Sequence, residues 1–332
     1  MKSLCIDGNG KVHIEEKDTP RPAPDQVLVK TAVSAVCGSE LKAYRGDGMA
    51  RGNSGHEAAG TVVEIGKAVE GISVGQRVGV SAVVGCGDCP YCAKGQYTWC
   101  ANWSFFPNMH AEQFVIPARG CHSLPDEVCW SVGALLTGDG LGVPYHTSTK
   151  LTDDDIETVV VWGLGPIGLG NVLVQAHAGR RVVGVDLVDA RRQLATVCGA
   201  AHALDGAAEN VIDQIRDLTD GEGADAAVEA VGRPETVKQC IAAVRKGGKV
   251  VLNGEQPSVE LSPSNDFIRR DITVAGAWYY HFHEFSSMLD LYRNGLPVER
   301  LITDSFAFAD AAKAFAAFAG ASTGKVMLRY AD

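Results

Sequence analysis

The feature that most constrains the fold is a β-branched run that ends in a glycine-rich turn and continues into an apolar helical pattern. The run begins at Val159, and the spacing G-x-G-x-x-G spans Gly163–Gly168. In a strand–turn–helix context, the first glycine permits the tight turn, the second lets the backbone approach a pyrophosphate, and the third allows close helix–strand packing. The N–H groups at the start of the helix also attract phosphate. The sequence therefore predicts a dinucleotide-binding turn formed by Gly163, Gly165, Pro166, Ile167 and Gly168.

Strand-like and helix-like segments alternate regularly after this turn. Helical patterns near Arg191–Val197, Ala208–Leu218 and Glu235–Val244 separate the strand-like runs. Six strands in such an alternation imply an α/β domain with a parallel, doubly wound sheet of the Rossmann type. We predict those strands at Val159–Val161, Val182–Val185, His202–Leu204, Ala224–Val228, Val250–Asn253 and Ile272–Ala275.

Two further regions flank the predicted Rossmann domain, which we place at residues 148–290. Residues 1–147 contain short β-like runs separated by glycines, which indicates a β-rich domain. From Leu296 onward the alternation breaks, and we predict an Ala/Phe-rich helix over Ala311–Ala319 and a strand over Val326–Arg329. Because the six-stranded sheet is complete without them, we expect residues 291–332 to return to the first domain.

Asp186 is the candidate residue for recognition of the cofactor ribose. It follows Gly168 by eighteen residues and ends the second predicted strand. A carboxylate there accepts hydrogen bonds from the ribose hydroxyls of NAD and repels the 2′-phosphate of NADP. The alternative is that Asp186 caps the following helix, and Arg191 and Arg192 either contact the adenosine edge or are solvated. We predict NAD as the cofactor, with Asp186 and Arg191 among its contacts.

The charge balance excludes several classes of partner. The chain has 40 acidic and 30 basic residues and a formal net charge of −10, so it has no general attraction for nucleic acid or anionic membranes. No run reaches the roughly 20 apolar residues that a membrane span needs. The N-terminal sequence lacks the apolar core of a secretory signal. We therefore expect a cytoplasmic protein whose ten cysteines are reduced.

A cluster of four cysteines indicates a metal site. Their spacing is two successive C-x-x-C steps, followed by a fourth cysteine within the same short segment. Four thiolates complete a tetrahedron and leave no open position, so the metal they bind is structural. An iron–sulfur cluster also uses four cysteines, but this spacing favours zinc. The predicted ligands are Cys86, Cys89, Cys92 and Cys100.

Cys37 in A-V-C-G-S-E and His56 in G-H-E-A-A-G are two more candidate metal ligands. Taken singly, a buried cysteine and a hydrogen-bonded core histidine are the more common explanations. Together with the four-cysteine segment, the dinucleotide turn and Asp186, they resemble the zinc-containing medium-chain alcohol dehydrogenases over essentially the whole chain. That resemblance implies a GroES-like catalytic domain, a Rossmann domain, and an active site in the cleft between them.

The resemblance also implies a third protein ligand to a catalytic zinc. The segment Leu135–His146 is similar to the carboxylate type of polyol- and threonine-dehydrogenase-like members, and it places Asp139 at the ligand position. The alternative is that Asp139 is only a turn residue between two glycines. Cys37, His56 and Asp139 would leave the fourth position open, as catalysis requires. Glu57 either replaces water as a ligand or only tunes the field at the metal.

The mechanism that the family implies is hydride transfer from an alcohol to the nicotinamide. Ser39 stands where a hydroxyl accepts the alcohol proton. Many relatives continue this relay with a histidine where the chain has Lys42, so two roles stay open: Lys42 binds the cofactor ribose, or the proton leaves through water. Glu40 stands where the family usually has an aspartate that supports the zinc histidine.

The predicted activity is zinc-dependent oxidation of a secondary alcohol, such as a polyol, sugar or cyclitol, with NAD. A threonine-type amino alcohol is the near alternative, and a zinc-free quinone-type reductase on the same fold is another. A non-catalytic zinc protein that binds nucleic acid disagrees with the net charge of −10. The resemblance further implies a homodimer or homotetramer.

Overall fold

The computed structural model describes residues 1–331 and divides into two compact units. The β-rich unit comprises Met1–Gly142, Tyr279–Arg293 and the described residues from Ile302 onward. The parallel-sheet unit comprises Val143–Trp278 and Asn294–Leu301. Asp332, the last residue of the predicted C-terminal segment, lies outside the described residues. No helix in the described part of the chain is long and apolar enough to cross a membrane.

The elements follow the chain in this order. The strands are β1 Lys2–Gly8, β2 Lys11–Glu16, β3 Gln26–Val36, β4 Ala58–Ile65, β5 Arg77–Val80, β6 Val83–Val84, β7 Ser104–Phe105, β8 Gln113–Pro117, β9 Cys121–Ser123, β10 Thr158–Trp162, β11 Arg181–Asp186, β12 His202–Asp205, β13 Ala224–Glu229, β14 Val244–Leu252, β15 Thr273–Gly276, β16 Ile302–Ala307 and β17 Lys325–Arg329. The α-helices are α1 Leu41–Arg45, α2 Pro90–Ala93, α3 Trp130–Leu136, α4 Asp139–Ser148, α5 Pro166–His177, α6 Asp189–Val197, α7 Val211–Asp217, α8 Pro234–Ala243, α9 Phe285–Arg293 and α10 Ala311–Ala319. Short turns join them, among them a 3-10 turn over Gly38–Glu40 and a π-helical segment over Pro263–Ile268.

The parallel-sheet unit contains a six-stranded sheet in the order β12-β11-β10-β13-β14-β15. All neighbouring pairs in it are parallel, so the predicted doubly wound sheet is confirmed. Every residue of the central strand β10 is buried, which is typical of a parallel strand covered on both faces. The sequence placed the fifth strand too late, at Val250. β14 begins at Val244, and there the guanidinium of Arg245 holds Asp225 of β13 at 2.6 Å.

The β-rich unit is built around a seven-stranded sheet with β3 near its centre. β3 pairs antiparallel with β4, β8 and the C-terminal strand β17. The apolar residues Val326, Met327 and Leu328 of β17 are fully buried, because they continue the core of that sheet. The two ends of the chain therefore contribute strands to the same unit.

The chain enters the β-rich unit earlier than the predicted boundary at residue 291. The hydroxyl of Tyr279 accepts the N–H of Ala82 at 2.8 Å, and that of Tyr280 donates to the carbonyl of Thr137 at 2.6 Å. Both tyrosines are buried, so these bonds anchor Tyr279–Arg293 in the β-rich unit. The segment Asn294–Leu301 then belongs to the parallel-sheet unit.

Candidate active site and metal centres

Neighbouring strands bring the candidate metal ligands together. Cys37 follows the last residue of β3, and His56 and Glu57 precede β4, which is antiparallel to β3. The backbone N–H of Ala35 donates to the Glu57 carbonyl at 2.9 Å, so these chain segments lie side by side. Asp139, the first residue of α4, completes the cluster.

Three donor atoms of this cluster converge. Asp139 Oδ2 lies 3.0 Å from His56 Nε2 and 3.6 Å from Cys37 Sγ. His56 Nδ1 donates to the Ser54 carbonyl at 2.7 Å, and because a carbonyl only accepts, Nε2 of the neutral ring carries a lone pair. A lone pair and a carboxylate oxygen at 3.0 Å need a proton or a cation between them. A carbonyl on the far ring nitrogen is also the usual support of a metal-bound histidine.

The charges of the cluster favour a cation at the same place. Burial lowers the pKa of His56, but Cys37 and Asp139 outweigh burial and hold that pKa well above its ordinary value. Burial raises the pKa of Asp139, yet the hydrogen bond and charge of His56 bring it below its usual range. A thiolate, an imidazole and a carboxylate are donors that zinc accepts in tetrahedral coordination. The three groups therefore fit a zinc ion with one open position.

Glu57 is held by two other groups. Its Oε1 forms a fully buried ion pair with Nζ of Lys325, the first residue of β17. Its Oε2 accepts the backbone N–H of Gly140 at 3.0 Å, in the first turn of α4. Burial raises the pKa of Glu57, although the Lys325 charge opposes this shift. Glu57 thus ties β17 to the turn that presents Asp139.

The two glycines beside Asp139 allow this close approach. A Cβ atom on Gly138 would lie 2.7 Å from Glu57 Cγ, and one on Gly140 would lie 3.0 Å from Lys325 Cε. The Gly-Asp-Gly sequence is therefore explained by close packing around the cluster. Asp139 is the first residue of helix α4, so it is not an isolated turn residue.

Glu40 does not make the contact that was expected of it. Its Oε2 accepts the N–H of Cys37 at 2.9 Å and lies 3.1 Å from His110 Nε2. His56 bonds the Ser54 carbonyl instead, so Glu40 supports the chain at the cysteine and not the histidine. The prediction of a Glu40–His56 support was therefore wrong.

Two fully buried residues near the cluster were missed by sequence reasoning. His110 bonds Glu40 through Nε2 and the hydroxyl of Ser34 through Nδ1, at 2.8 Å. Lys325 pairs with Glu57. A lysine at the start of an apolar strand was the one available signal for Lys325. Nothing in the sequence around His110 distinguishes it from a surface histidine.

Ser39, the predicted acceptor of the alcohol proton, and Lys42, which stands where many relatives have the relay histidine, are both exposed. Ser39 lies in the turn Gly38–Glu40, two residues after Cys37, and Lys42 lies in α1. The ring of Phe105, which is 42% exposed, packs against the ring of His56 with centroids 5.4 Å apart. The structure thus gives Ser39 access to solvent and places an aromatic side chain against the candidate zinc histidine.

The four-cysteine segment has the sulfur spacing of a tetrahedral metal site. Cys92 Sγ lies 3.5 Å from Cys89 Sγ and 3.9 Å from Cys86 Sγ, and the N–H of Cys86 donates to Cys100 Sγ at 3.4 Å. Sulfurs bound to zinc at about 2.3 Å are about 3.8 Å apart, whereas a disulfide needs about 2.05 Å. Burial raises the pKa of the Cys92 thiol to about 12, so a cation is needed to keep it ionised. These thiols fit a structural zinc.

The glycine-rich turn joins β10 to α5. Gly163 has a φ of +86°, and a Cβ atom on Gly168 would lie 1.7 Å from the Gly163 carbonyl oxygen, so neither position accepts a side chain. A Cβ atom on Gly165 would lie 3.9 Å from the Arg191 guanidinium, an ordinary van der Waals distance, so the backbone there is not crowded. α5 begins at Pro166 and directs its free N–H groups toward this turn. These features are the ones expected of a turn that binds a pyrophosphate.

Asp186, the last residue of β11, lies beside the same turn. Its Oδ2 accepts the N–H of Leu164 at 2.7 Å and its Oδ1 accepts the N–H of Val188 at 2.8 Å. Each oxygen keeps a second lone pair for a ribose hydroxyl. Arg191 lies 3.9 Å from Asp186, while Arg192 donates to the Asp186 carbonyl at 2.8 Å. Helix α6 is preceded by Val188, so Asp186 is not its N-cap.

Comparison with known proteins decides the family. The alcohol dehydrogenase GroES-like domain matches residues 23–126, and the zinc-binding dehydrogenase domain matches residues 166–294. The L-threonine 3-dehydrogenase of Pyrococcus abyssi is 32% identical over 94% of this chain and 93% of its own length. The protein belongs to the zinc-containing medium-chain alcohol dehydrogenases. The GroES-like and Rossmann folds implied by the resemblance are thereby confirmed.

Solved structures of related dehydrogenases share this fold over the whole chain. The 2R,3R-butanediol dehydrogenase of Bacillus subtilis is 26% identical, with a TM-score of 0.86 and 99% of each chain covered. Galactitol-1-phosphate dehydrogenase of Escherichia coli is 25% identical, with a TM-score of 0.87, covering 99% of this chain and 100% of that one. A protein of Sinorhizobium meliloti described as a zinc-binding dehydrogenase, bound to NADP, is 27% identical with a TM-score of 0.85, covering 99% and 98%.

Family membership gives the chemistry of this alcohol dehydrogenase in outline. It is an enzyme, an oxidoreductase of alcohols that works with zinc and a nicotinamide nucleotide. The donor cluster and the dinucleotide turn are the places in the chain that suit these two groups.

Proposed function

We propose that this alcohol dehydrogenase oxidises a secondary alcohol with a neighbouring hydroxyl, as in a polyol, sugar or cyclitol, and that NAD accepts the hydride. The observation that carries the proposal is the Asp139 carboxylate beside Cys37 and His56. That donor set is the one expected of polyol- and threonine-type members. The similarity to dehydrogenases named for butanediol and galactitol 1-phosphate supports a substrate with vicinal oxygens.

Two zinc ions per chain are part of the proposal. Cys37, His56 and Asp139 would hold the catalytic ion, and the four-cysteine segment would hold the structural one. When bound, the catalytic zinc favours loss of the alcohol proton and the nicotinamide takes up the hydride. The side chains of the protein bind these groups and carry the proton away.

Ser39 is the residue we assign to the proton. A hydroxyl can accept one proton and donate its own, so Ser39 can pass the alcohol proton to solvent and end unchanged. Its exposure gives it that route. Lys42 has no acceptor lone pair while it is charged, so it cannot replace the histidine of the relatives as a proton acceptor. We therefore assign Lys42 to the cofactor ribose.

Glu57 is assigned a positioning role. Both of its oxygens have buried partners, Lys325 and the N–H of Gly140, and these contacts hold the carboxylate in place. Of the two roles predicted for Glu57, the contacts favour tuning the field at the metal over replacing water as a ligand. Through Gly140 it also fixes the position of Asp139.

A substrate panel tests the proposed function. NADH formation would be followed with 2,3-butanediol, sorbitol, myo-inositol and L-threonine, before and after removal of zinc with a chelator. We expect a vicinal diol or polyol to give the highest kcat/KM, and zinc removal to abolish activity. The highest value with L-threonine would overturn the polyol assignment in favour of the second candidate, which the identity to the Pyrococcus abyssi enzyme supports. Activity that survives zinc removal would instead favour the quinone-type reductase.

Asp186→Gly is expected to relax the preference for NAD over NADP. The substitution removes the carboxylate that would repel a 2′-phosphate. Two charges about 4 Å apart interact by about 1–4 kcal/mol near a protein surface, so the ratio of kcat/KM for NAD and NADP should fall about tenfold or more. Asp205→Gly, at the paired position on β12, is the matched control and should leave the ratio unchanged. An unchanged ratio in Asp186→Gly would show that Asp186 does not touch the ribose.

A homodimer or homotetramer stays a prediction. Within residues 1–331, β15 pairs only with β14 and forms one edge of the six-stranded sheet, and most of its residues are exposed. An exposed edge strand presents unpaired N–H and C=O groups that a second copy can bind.

A further inference from the structure

We propose that the N-terminal hairpin carries a third zinc site, separate from the catalytic and the structural one. Its ligands are Cys5 on β1 and His13 and Glu15 on β2, and Asp7 orients the histidine. The candidate catalytic cluster and the four-cysteine segment use other residues. The proposal of this site is therefore independent of the proposed oxidation chemistry.

The hairpin register places these side chains on one face. Cys5 is paired directly with His13, and Glu15 follows His13 by two residues, so their side chains point the same way. The alternate residues Leu4 and Ile6 are fully buried in the core of the β-rich unit. One face of the hairpin thus packs into the core, while the other carries a thiol, an imidazole and two carboxylates.

The distances fit a single cation. One ligand atom from each of Cys5, His13 and Glu15 lies within 4.8 Å of the others. His13 Nδ1 lies 2.8 Å from both carboxylate oxygens of Asp7. A carboxylate can only accept from that nitrogen, which leaves Nε2 to bind a metal. This carboxylate–histidine arrangement is the usual support of a zinc ligand.

The site is accessible from solvent. The side chains of His13 and Glu15 are 54% and 42% exposed. They line a cavity of about 850 Å³ together with Cys5, Asp7 and Arg51. Lys17 Nζ lies 3.9 Å from Glu15, a surface contact worth at most about 1 kcal/mol that a divalent ion can displace. A thiolate, an imidazole and a carboxylate make the ligand set that selects zinc over calcium or magnesium.

Metal content distinguishes this site from the other two. The holoenzyme would be equilibrated with zinc, desalted and analysed for zinc per chain, beside His13→Gln, Glu15→Gln and the control Glu16→Gln. Glu16 is exposed and adjacent to Glu15 but lies on the other face of the strand. We expect the wild type and Glu16→Gln to hold one zinc more than His13→Gln and Glu15→Gln. Asp7→Asn should weaken zinc binding at this site about 10–100-fold, as for other supporting carboxylates.

A second readout follows the hairpin itself. Zinc that joins β1 to β2 should slow amide hydrogen exchange over residues 2–16 in the wild type but not in His13→Gln. Because His13 is exposed, His13→Gln should have the same melting temperature as the wild type when no zinc is added. It should also keep its activity. Equal zinc content in the wild type and His13→Gln, or exchange in the hairpin that does not respond to zinc, would overturn the proposal. The catalytic zinc could be absent and the difference of one zinc would still be seen.

Discussion

Asp139→Asn is expected to lower kcat/KM for the alcohol substrate about 1000-fold and to reduce the zinc content by one ion per chain. The Asp139 carboxylate lies 3.0 Å from His56 Nε2 and 3.6 Å from Cys37 Sγ. Asparagine keeps the shape but removes the negative charge. If the metal stabilises the developing charge by about 4 kcal/mol, its loss corresponds to roughly three powers of ten in rate. Steady-state kinetics and metal analysis of the same preparation check both effects.

The controls for this prediction separate ligation from general damage. Asp126→Asn removes a fully exposed carboxylate of the same unit and should leave both values unchanged. Groups that act as a unit are not additive, so Asp139→Asn combined with Cys37→Ser should be little worse than either change alone. Full zinc content and near-normal kcat/KM in Asp139→Asn would show that Asp139 is not a ligand.

Lys325→Met is expected to lower the free energy of unfolding by about 3–5 kcal/mol. The substitution leaves Glu57 as a buried charge without its partner, and breaking a buried pair typically costs about this much. Burial lowers the pKa of Lys325, but the charges of Glu57, Cys37 and Asp139 raise it above its ordinary value, so the lysine is charged in the native state. Urea unfolding of the wild type and the variant measures the difference.

The double variant Glu57→Gln/Lys325→Met tests whether the unpaired charge of Glu57 causes this loss of stability. Replacing a whole buried pair by neutral groups is often close to neutral, so the double variant should be more stable than Lys325→Met alone. Lys313→Met removes a lysine that is 74% exposed and should change the free energy of unfolding by less than about 0.5 kcal/mol. Additive losses in the double variant would show that packing, and not the ion pair, sets the cost.

The parts of the protein that could be predicted from the sequence depend on short-range patterns. The turn at Gly163–Gly168 and the segment Cys86–Cys100 each keep their functional groups within one stretch of chain. The spacing alone therefore fixes which residues meet, and the structure brings them together. The alternation of strands and helices likewise predicted the parallel sheet, because each βαβ unit is local.

The parts that could not be predicted depend on long-range pairing. Lys325 meets Glu57 only because β17 pairs with β3, which also pairs with β4. Asp139 was placed beside Cys37 and His56 by family resemblance alone. Glu40 was assigned to the histidine by the same resemblance, and it contacts the Cys37 backbone instead, because His56 is already bonded to Ser54. The Cys5–His13–Glu15 face of the hairpin became visible only once the register of β1 and β2 was known.

The most direct measurement is the anomalous scattering of zinc in crystals of the metal-loaded enzyme. We expect an anomalous peak for a zinc ion that lies about 2.0–2.3 Å from Cys37 Sγ, His56 Nε2 and a carboxylate oxygen of Asp139. Glu57 should still be paired with Lys325. The absence of that peak in crystals whose four-cysteine site is filled, with the three side chains turned away from one another, would contradict the proposed catalytic centre.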